Sequence, residues 1–368
     1  MKLATKISAS FCLALAACAP AWADAGKLTI YGLIDEGVEY ADHIPDGQGG
    51  TTHDYRVGSG TAASRWGLRG TEDLGGGLSA EFNLESGFAA DTGTLSQGGR
   101  SFGRQAMVGL RGDFGLISLG RQYTMRYYGF IDADIFGAGS QGLGTLDPGF
   151  PNARADNAIA WRGHWGSFHA GANYSLGRDA VAGNSAAATG CPGETSNSKQ
   201  CREWAVMTKW DAHTWGVVGS YDRQHGGTST TYGGLTSPEL TDSRLILNAY
   251  WHLGDSRFAV GWLRRVNEGI ATPKSDLYWI VGEAPVYGAF IVDAMLAELD
   301  YHDSANKAFV TTLRGNYRLS KRSTLYLTME HIENSGDLAL AASTNPPAKG
   351  PNPGGAQNSF IAGIKHTF

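Results

Sequence analysis

A two-residue alternation of apolar and polar side chains is the feature that most restricts how this chain can fold. In SRWGLRGTEDLGGGLSAEFNLESGF, residues 64–88, Trp66 and Leu68 fall on one face of an extended backbone, and Arg65 and Arg69 fall on the other. A period of two predicts β-strands. Glycine supplies 52 of the 368 residues, which favours turns and disfavours a helix-rich fold. The pattern therefore predicts an all-β protein.

The same alternation recurs along the whole chain. About sixteen segments show it, beginning near residues 27, 64, 77, 102, 115, 155, 167, 202, 213, 243, 256, 275, 288, 306, 322 and 357. Short turns such as GDFG, WGS and GDS alternate with connections that are mostly long, for example 41–63, 124–154, 178–201, 224–242 and 333–356. This arrangement is typical of an antiparallel transmembrane β-barrel. Sixteen strands leave an aqueous channel, so we expect lipid on the apolar face and water on the polar face.

Aromatic residues near the predicted strand ends fit the interfacial girdles of such barrels. They are Tyr31, Tyr40, Tyr123, Trp161, Trp251, Tyr317 and Phe368. A large soluble β-sandwich is the alternative, but it does not explain why short and long connections alternate so regularly.

The N-terminal residues Met1–Ala23 have the features of a secretory signal peptide. Two lysines precede a weakly apolar stretch, and the small-x-small sequence AWA precedes Asp24. The tetrapeptide that ends at Cys18 also resembles a lipoprotein lipobox, which remains an alternative. Removing the signal takes away two lysines and no acid, so the formal net charge falls from −5 to −7. We expect residues 24–368 to form a single barrel domain.

Composition and motifs exclude several classes of function. Mild acidity argues against nucleic-acid binding, and no run of about 20 apolar residues follows the signal. Gly137, Gly139 and Gly142 spell G-x-G-x-x-G, but no helix pattern follows, so a dinucleotide site is not expected. The chain contains neither H-E-x-x-H nor G-x-S-x-G. We therefore expect no catalytic residues, no metal and no cofactor, and hence no enzyme.

Two cysteines remain after the signal, in CPGETSNSKQC. Because an exported chain passes an oxidising compartment, we expect Cys191 and Cys201 to form a disulfide in an outward-facing loop. Two free thiols are the alternative. Zinc is disfavoured, because no histidine or second cysteine pair has suitable spacing nearby.

Several segments together resemble one known family, the trimeric general porins of Gram-negative outer membranes. They are TIYGLIDEGVEY, SRWGLRGTEDLGGGLSAEFNLESGF, GRQAMVGL, LGRQYT, RADNAIAW and LSKRSTLYL, together with a final strand that ends in phenylalanine. The resemblance implies a homotrimer in the bacterial outer membrane that lets small hydrophilic solutes and ions diffuse passively. It also implies that the outer-membrane assembly machinery recognises Phe368. One departure is the irregular region 267–301, where we expect a bulge near Glu298.

The resemblance further implies that the third long loop, about residues 124–154, folds into the barrel and narrows it. Eight charged residues are then expected at the constriction: Arg65, Arg69, Arg104, Arg121, Arg154, Arg162, Asp132 and Asp134. Alternation places Arg65 and Arg154 on the lumen side, and we expect them to face Asp132 or Asp134. Arg104 and Arg121 match family positions, but alternation places them on the lipid side. They can reach the lumen only above the membrane rim or through a bulge.

Ion selectivity stays open at this level. The arginines favour anions, whereas the loop acids and the net charge of the mature chain favour cations. Two other functions remain as alternatives: a barrel hydrolase, which needs a Ser, His or Asp cluster at the rim, and a receptor or adhesin whose long loops bind a partner.

Overall fold

A computed structural model describes residues 26–137, 139–183, 185–228 and 232–368. Seventeen strands run through these residues: β1 (Lys27–Pro45), β2 (Thr51–Gly58), β3 (Arg65–Gly75), β4 (Leu78–Gly87), β5 (Gln105–Gly112), β6 (Gly115–Tyr123), β7 (Arg154–Trp165), β8 (Phe168–Ser175), β9 (Glu203–Asp211), β10 (Trp215–His225), β11 (Thr241–Leu253), β12 (Ser256–Asn267), β13 (Lys274–Tyr287), β14 (Phe290–Tyr301), β15 (Lys307–Arg318), β16 (Ser323–Ser335) and β17 (Ala356–Thr367). The helices are short: α1 (Ser96–Gly99), α2 (Met125–Phe130) and 3₁₀ turns at Ile131–Ala133, Leu143–Thr145 and Tyr232–Gly234.

The strands close into one antiparallel barrel. On one side β1 pairs with β17, and the backbone of Phe368 exchanges hydrogen bonds of 3.0 and 3.1 Å with Gly32. On its other side β1 pairs with β3 through its first half and with β2 through its second half. Because β2 and β3 share one position, the seventeen strands make a sixteen-stranded barrel. The predicted fold is therefore confirmed.

A buried carboxylate binds the residues that separate β2 from β3. Asp35 of β1 accepts hydrogen bonds from the backbone N–H groups of Gly60 (3.2 Å) and Thr61 (3.1 Å), and from the Tyr326 hydroxyl (2.5 Å). Residues 59–64 leave the strand ladder to reach it. This carboxylate thus joins the interruption to β16 on the other side of β1.

Two details of the predicted strands are wrong. The connection predicted at 41–63 contains β2, because β1 continues to Pro45 and pairs with Thr51–Gly58. The bulge expected near Glu298 is absent, since Glu298 pairs in regular register with Tyr278 and Phe309. The irregularity lies instead at Pro285–Tyr287, close to a short turn.

The two faces of the barrel wall differ as the alternation predicts. On β1, Leu28 and Ile30 are 62% and 66% exposed, whereas Asp35 and Glu39 are fully buried. The outward face is apolar along most strands, as a lipid environment requires. The inward face carries the charged groups.

Part of the inward face is apolar, which the alternation pattern does not predict. The inward residues Ile246, Leu277 and Trp279, which belong to β11 and β13, are at most 4% exposed. They form one hydrophobic cluster with Phe130 and Phe136, which belong to the connection between β6 and β7. The molecule therefore has a hydrophobic core inside the barrel, between this connection and one part of the wall.

The N-terminal residues 1–25, which contain the predicted signal peptide and Cys18, lie outside the described residues. Within the described ranges, no helix has the length and apolar character needed to cross a membrane. The same ranges contain no group of three or more His, Cys, Asp or Glu side chains arranged to hold a metal ion.

Candidate functional site: a charged cavity inside the barrel

Residues 124–153, which we call the inner segment, lie against the inward face of the wall. The Arg126 guanidinium is 2.8 Å from Asp222 of β10, and the Trp279 indole donates to the backbone oxygen of Ala133 at 2.9 Å. At the far end, the backbone N–H of Ser140 donates to Gly60 at 2.9 Å. The inner segment therefore spans the barrel from β10 to the interruption between β2 and β3.

Glu330 of β16 is the most densely bonded anchor of the inner segment. Its carboxylate accepts hydrogen bonds from the Gly142 backbone N–H (2.6 Å), the Thr145 hydroxyl (2.8 Å) and the Thr312 hydroxyl (2.9 Å). The side chain is fully buried. These hydrogen bonds hold the middle of the inner segment against the wall.

A second anchor is an ion pair between Asp147 and Arg244 of β11. Two hydrogen bonds of 2.7 and 3.0 Å join the guanidinium to the carboxylate, and both residues are nearly completely buried. Arg244 and Arg265 hold the pKa of Asp147 well below its usual range, despite burial, which acts in the opposite direction. Asp147 therefore stays ionised.

A cavity of 480 Å³ remains between the inner segment and the strands that it leaves uncovered. Six cationic side chains and two carboxylates line it: Arg65, Arg69, Arg104, Arg154, Arg314, Lys365, Glu85 and Asp134. We call this space the central cavity. The two acids are outnumbered three to one, so the fixed charge around the cavity is positive.

The cations of the central cavity differ in their pairing. Arg104 binds Glu85 at 2.6 Å, and Arg65 approaches the same carboxylate at 3.9 Å. Among the described residues, no carboxylate lies within salt-bridge distance of Arg69, Arg154 or Lys365. These three charges are therefore not neutralised by the protein and can attract a mobile anion.

Asp134 is the acid that the inner segment contributes to this cavity. It accepts a hydrogen bond from the Gly137 backbone N–H at 3.0 Å and is 5% exposed. Burial raises its pKa to about 7, because Arg314 and the backbone hydrogen bonds offset only part of the desolvation. The carboxyl is thus only partly ionised at neutral pH, which further favours positive charge in the cavity.

Asp132 lies in a different place from Asp134. Its carboxylate is 3.0 Å from Lys209 of β9, and it lines a second cavity of 280 Å³ together with Arg111 and Arg162. The Arg162 guanidinium lies 4.4 Å from the ring centroid of Tyr128. Of the two predicted acids, only Asp134 therefore shares a cavity with Arg65 and Arg154.

The predicted route of Arg121 through a bulge corresponds to a register shift between Gly120 and Gln122. Its guanidinium binds Asp156 at 2.6 Å and the backbone oxygen of Gly103 at 2.6 Å. Arg121 is not among the residues that line the central cavity. Arg104, by contrast, lines the cavity from the position just before β5.

The connection between β8 and β9 contains a disulfide that joins Cys191 to Cys201. Both cysteines are fully buried, and their backbone N–H groups donate to Asp179 and Gly226. The disulfide therefore ties this connection to itself and to the neighbouring loop after β10.

Sequence reasoning missed several lining residues. Lys365 and Arg314 lie on the lumen side of their strands by simple alternation, so the signal was present but was not used. Tyr31 and Tyr123 were assigned to the aromatic girdle, yet both line the central cavity. Tyr31 shares the inward face of β1 with Asp35 and Glu39, and its hydroxyl donates to Glu85 at 2.9 Å.

A closed barrel with charged cavities inside it defines a channel protein of the membrane. The sequence matches the Gram-negative porin family over residues 9–337. Since this is most of the chain, the protein belongs to that family. Members of the family are channels and not enzymes, and this protein is accordingly a porin of the bacterial outer membrane.

Individual relatives agree with the family assignment. Outer membrane porin protein 32 of Delftia acidovorans is 29% identical over 363 residues, which are 93% of this chain and 94% of that protein. An outer membrane porin protein of Bordetella pertussis is 37% identical over 164 residues, which are 41% of this chain and 43% of that protein. This second match thus spans less than half of that relative.

Solved structures show the same fold. The anion-selective porin from Comamonas acidovorans is 27% identical and superposes with a TM-score of 0.75, covering 94% of this chain and all of that chain. OmpT of Vibrio cholerae, in its trimer form, superposes with a TM-score of 0.65 at 17% identity over 94% of this chain and all of that chain, which supports the fold alone.

Proposed function

We propose that this porin is an anion-selective channel for passive diffusion, and that the inner segment and the central cavity form its constriction. The observation that carries the proposal is the central cavity, where six cations face two carboxylates and three of the cations lack a carboxylate partner among the described residues. Unpaired fixed charge in a narrow aqueous space raises the local concentration of counter-ions and repels co-ions.

The positive charge extends beyond the central cavity. Arg69 lines both the central cavity and a third cavity of 330 Å³, and Arg162 lines both the second and the third. Shared lining residues connect these spaces into one path toward the short-turn end of the barrel. The relative from Comamonas acidovorans, which is named an anion-selective porin, supports the same selectivity.

The test is a reversal-potential measurement in a potassium chloride gradient across a planar bilayer. The protein is expected to pass chloride in preference to potassium. The double variant Arg69→Met/Lys365→Met is expected to lower the chloride-to-potassium permeability ratio at least about two-fold, because it removes two unpaired charges. The effect should shrink at high salt, where screening is stronger.

A matched control removes two cations that lie outside the central cavity. Lys199 lies in the connection between β8 and β9 and pairs with Glu239. Lys321 is exposed in the turn after β15. The variant Lys199→Met/Lys321→Met is expected to keep the ratio of the unmodified protein. A cation preference in the unmodified protein, or equal losses in both double variants, would contradict the proposed constriction.

We also propose that the protein is exported with the signal peptide Met1–Ala23 and assembles as a homotrimer in outer-membrane lipid. The family resemblance supports both statements, and the apolar outward face of the wall supports the lipid environment. Phe368 supports recognition by the assembly machinery, because the aromatic side chain remains 46% exposed at the end of the last strand. Electrophoresis of unheated and heated samples tests the trimer.

A further inference from the structure

Planar groups stack at the edge of the central cavity. The Arg154 guanidinium lies 4.8 Å from the ring centroid of Tyr123, and the rings of Tyr123 and Tyr127 stack with centroids 3.8 Å apart and 19° between their planes. Arg104 and Arg154 also donate to the Tyr123 hydroxyl, at 2.7 and 3.3 Å. The two arginines therefore fix Tyr123 at one end of the stack, while the half-buried Tyr127 lines the cavity.

The electrostatics of this stack suit an anion with an aromatic ring. Burial raises the pKa of Tyr127 to about 12, so its phenol stays neutral and does not repel an anion. The positive charges of Arg65 and Arg104 oppose the effect of burial and favour a lower pKa of the same phenol. Arg69 and Lys365 line the cavity without a carboxylate partner among the described residues. An arene can stack on an aromatic side chain while its carboxylate binds guanidinium or ammonium groups.

The size of the cavity fits the same class of ligand. Its volume of 480 Å³ lies within the roughly 300–1,000 Å³ of small-molecule sites, whereas a chloride ion needs far less space. Phe130, Phe136 and Phe150 line the cavity on the side of the inner segment, and each is at most 5% exposed. A chloride ion can contact only the cations, whereas an aryl carboxylate can contact both the cations and the aromatic rings.

We propose that the central cavity is a binding site for small aromatic carboxylates, with the ring stacked at Tyr127 and the carboxylate held by the cations that line the same cavity. The proposal rests on the anion selectivity proposed above and names the class of solute that the constriction retains. Such a solute slows in the cavity and obstructs the smaller ions that share the path.

The test compares two anions of equal charge and similar size on single channels in a planar bilayer. Benzoate has a π-face, and cyclohexanecarboxylate does not; both are ionised at neutral pH. Each is titrated into potassium chloride, and the reduction of the chloride-carried current yields an apparent dissociation constant. That constant is expected to be lower for benzoate by roughly 3- to 10-fold, the size of an aromatic stacking contribution.

Two variants assign the preference to the site. Tyr127→Leu keeps an apolar side chain but removes the ring, and it is expected to reduce the ratio of the two constants to near one. Tyr317→Leu removes a tyrosine that is 50% exposed on the outward face, and it is expected to keep the ratio. A ratio of one in the unmodified protein, or a ratio that survives Tyr127→Leu, would overturn the aromatic site.

The reversal potential in potassium chloride alone is recorded on the same channels. It reports anion selectivity independently of either organic anion. A chloride preference combined with equal constants for benzoate and cyclohexanecarboxylate overturns the aromatic site and leaves the proposed function standing. Loss of the chloride preference itself overturns both.

Discussion

Two regions of the inward face differ in the sign and in the exposure of their charged side chains. The basic wall, formed by β3–β7, carries Arg65, Arg69, Arg104, Arg154 and Arg162, all of which line cavities. The covered wall, formed by β10–β17, carries the acids Asp222, Asp293 and Glu330, which are at most 1% exposed. The inner segment lies on the second wall, where Arg314 and Lys365 still line the central cavity, and leaves the first wall open.

The acids of the covered wall are neutralised or bonded where they lie. Asp222 binds Arg126 at 2.8 Å, and Asp293 binds Arg314 at 2.6 Å. Glu330 binds three donors, two of them from the inner segment. Because these carboxylates are shielded from the lumen, the net charge of the whole chain is a poor guide to the field in the channel. The difference between the walls decides that field.

Shortening the inner segment is expected to change the pore more than any other variant proposed below. A deletion of residues 137–146 takes away the contacts to Glu330 and opens the covered wall to water. Conductance should rise at least about two-fold, and the anion preference should fall, because uncovered carboxylates enter the pore. Single-channel recording measures both quantities.

A deletion of Gly47–Gly49 is the matched control, since these residues form an exposed turn between β1 and β2. It should leave conductance unchanged. If the longer deletion assembles normally and neither conductance nor selectivity changes, the inner segment does not narrow the pore.

Breaking a buried ion pair on the covered wall is expected to affect stability more than removing an open charge on the basic wall. Arg244→Met leaves Asp147 and Asp242 buried without this partner and should lower the free energy of unfolding by roughly 3–5 kcal/mol. Arg69→Met removes an exposed cation and should change it by less than about 0.5 kcal/mol. Urea unfolding in a fixed detergent or lipid system compares the two variants. Similar losses would mean that the two walls do not differ in this way.

The smallest expected effect concerns Asp134, the one acid that the inner segment presents to the central cavity. With a pKa of about 7, the carboxyl is neutral in acid and gains a negative charge as the pH rises from about 6 to about 8. The anion preference should therefore decline over that interval. Asp134→Asn should remove this part of the decline and leave any other part in place. Identical pH profiles for both proteins would argue against Asp134 as a titrating group of the pore.

The barrel itself could be predicted from the sequence, because a period of two is a property of the local backbone. Alternation correctly placed Arg65 and Arg154 on the lumen side, and most strand starts lie close to the predicted positions. It failed at Thr51–Gly58, which was predicted to be part of a loop. This segment is a strand, because β1 continues to Pro45 and pairs with it. Alternation also placed Tyr31 on the polar face of β1 together with Asp35 and Glu39, although Tyr31 was counted with the aromatic girdle as well.

Charge pairing, by contrast, was decided by the tertiary structure. Asp132 and Asp134 are close neighbours in the chain, yet Asp132 forms an ion pair with Lys209 and Asp134 lines the central cavity. Tyr326 reaches Asp35 across 291 positions of the chain, and Thr145 reaches Glu330 across 185. Local periodicity states only which face a side chain takes. Which opposing group meets it there depends on how the inner segment crosses the barrel, and that path is set by contacts between residues far apart in sequence.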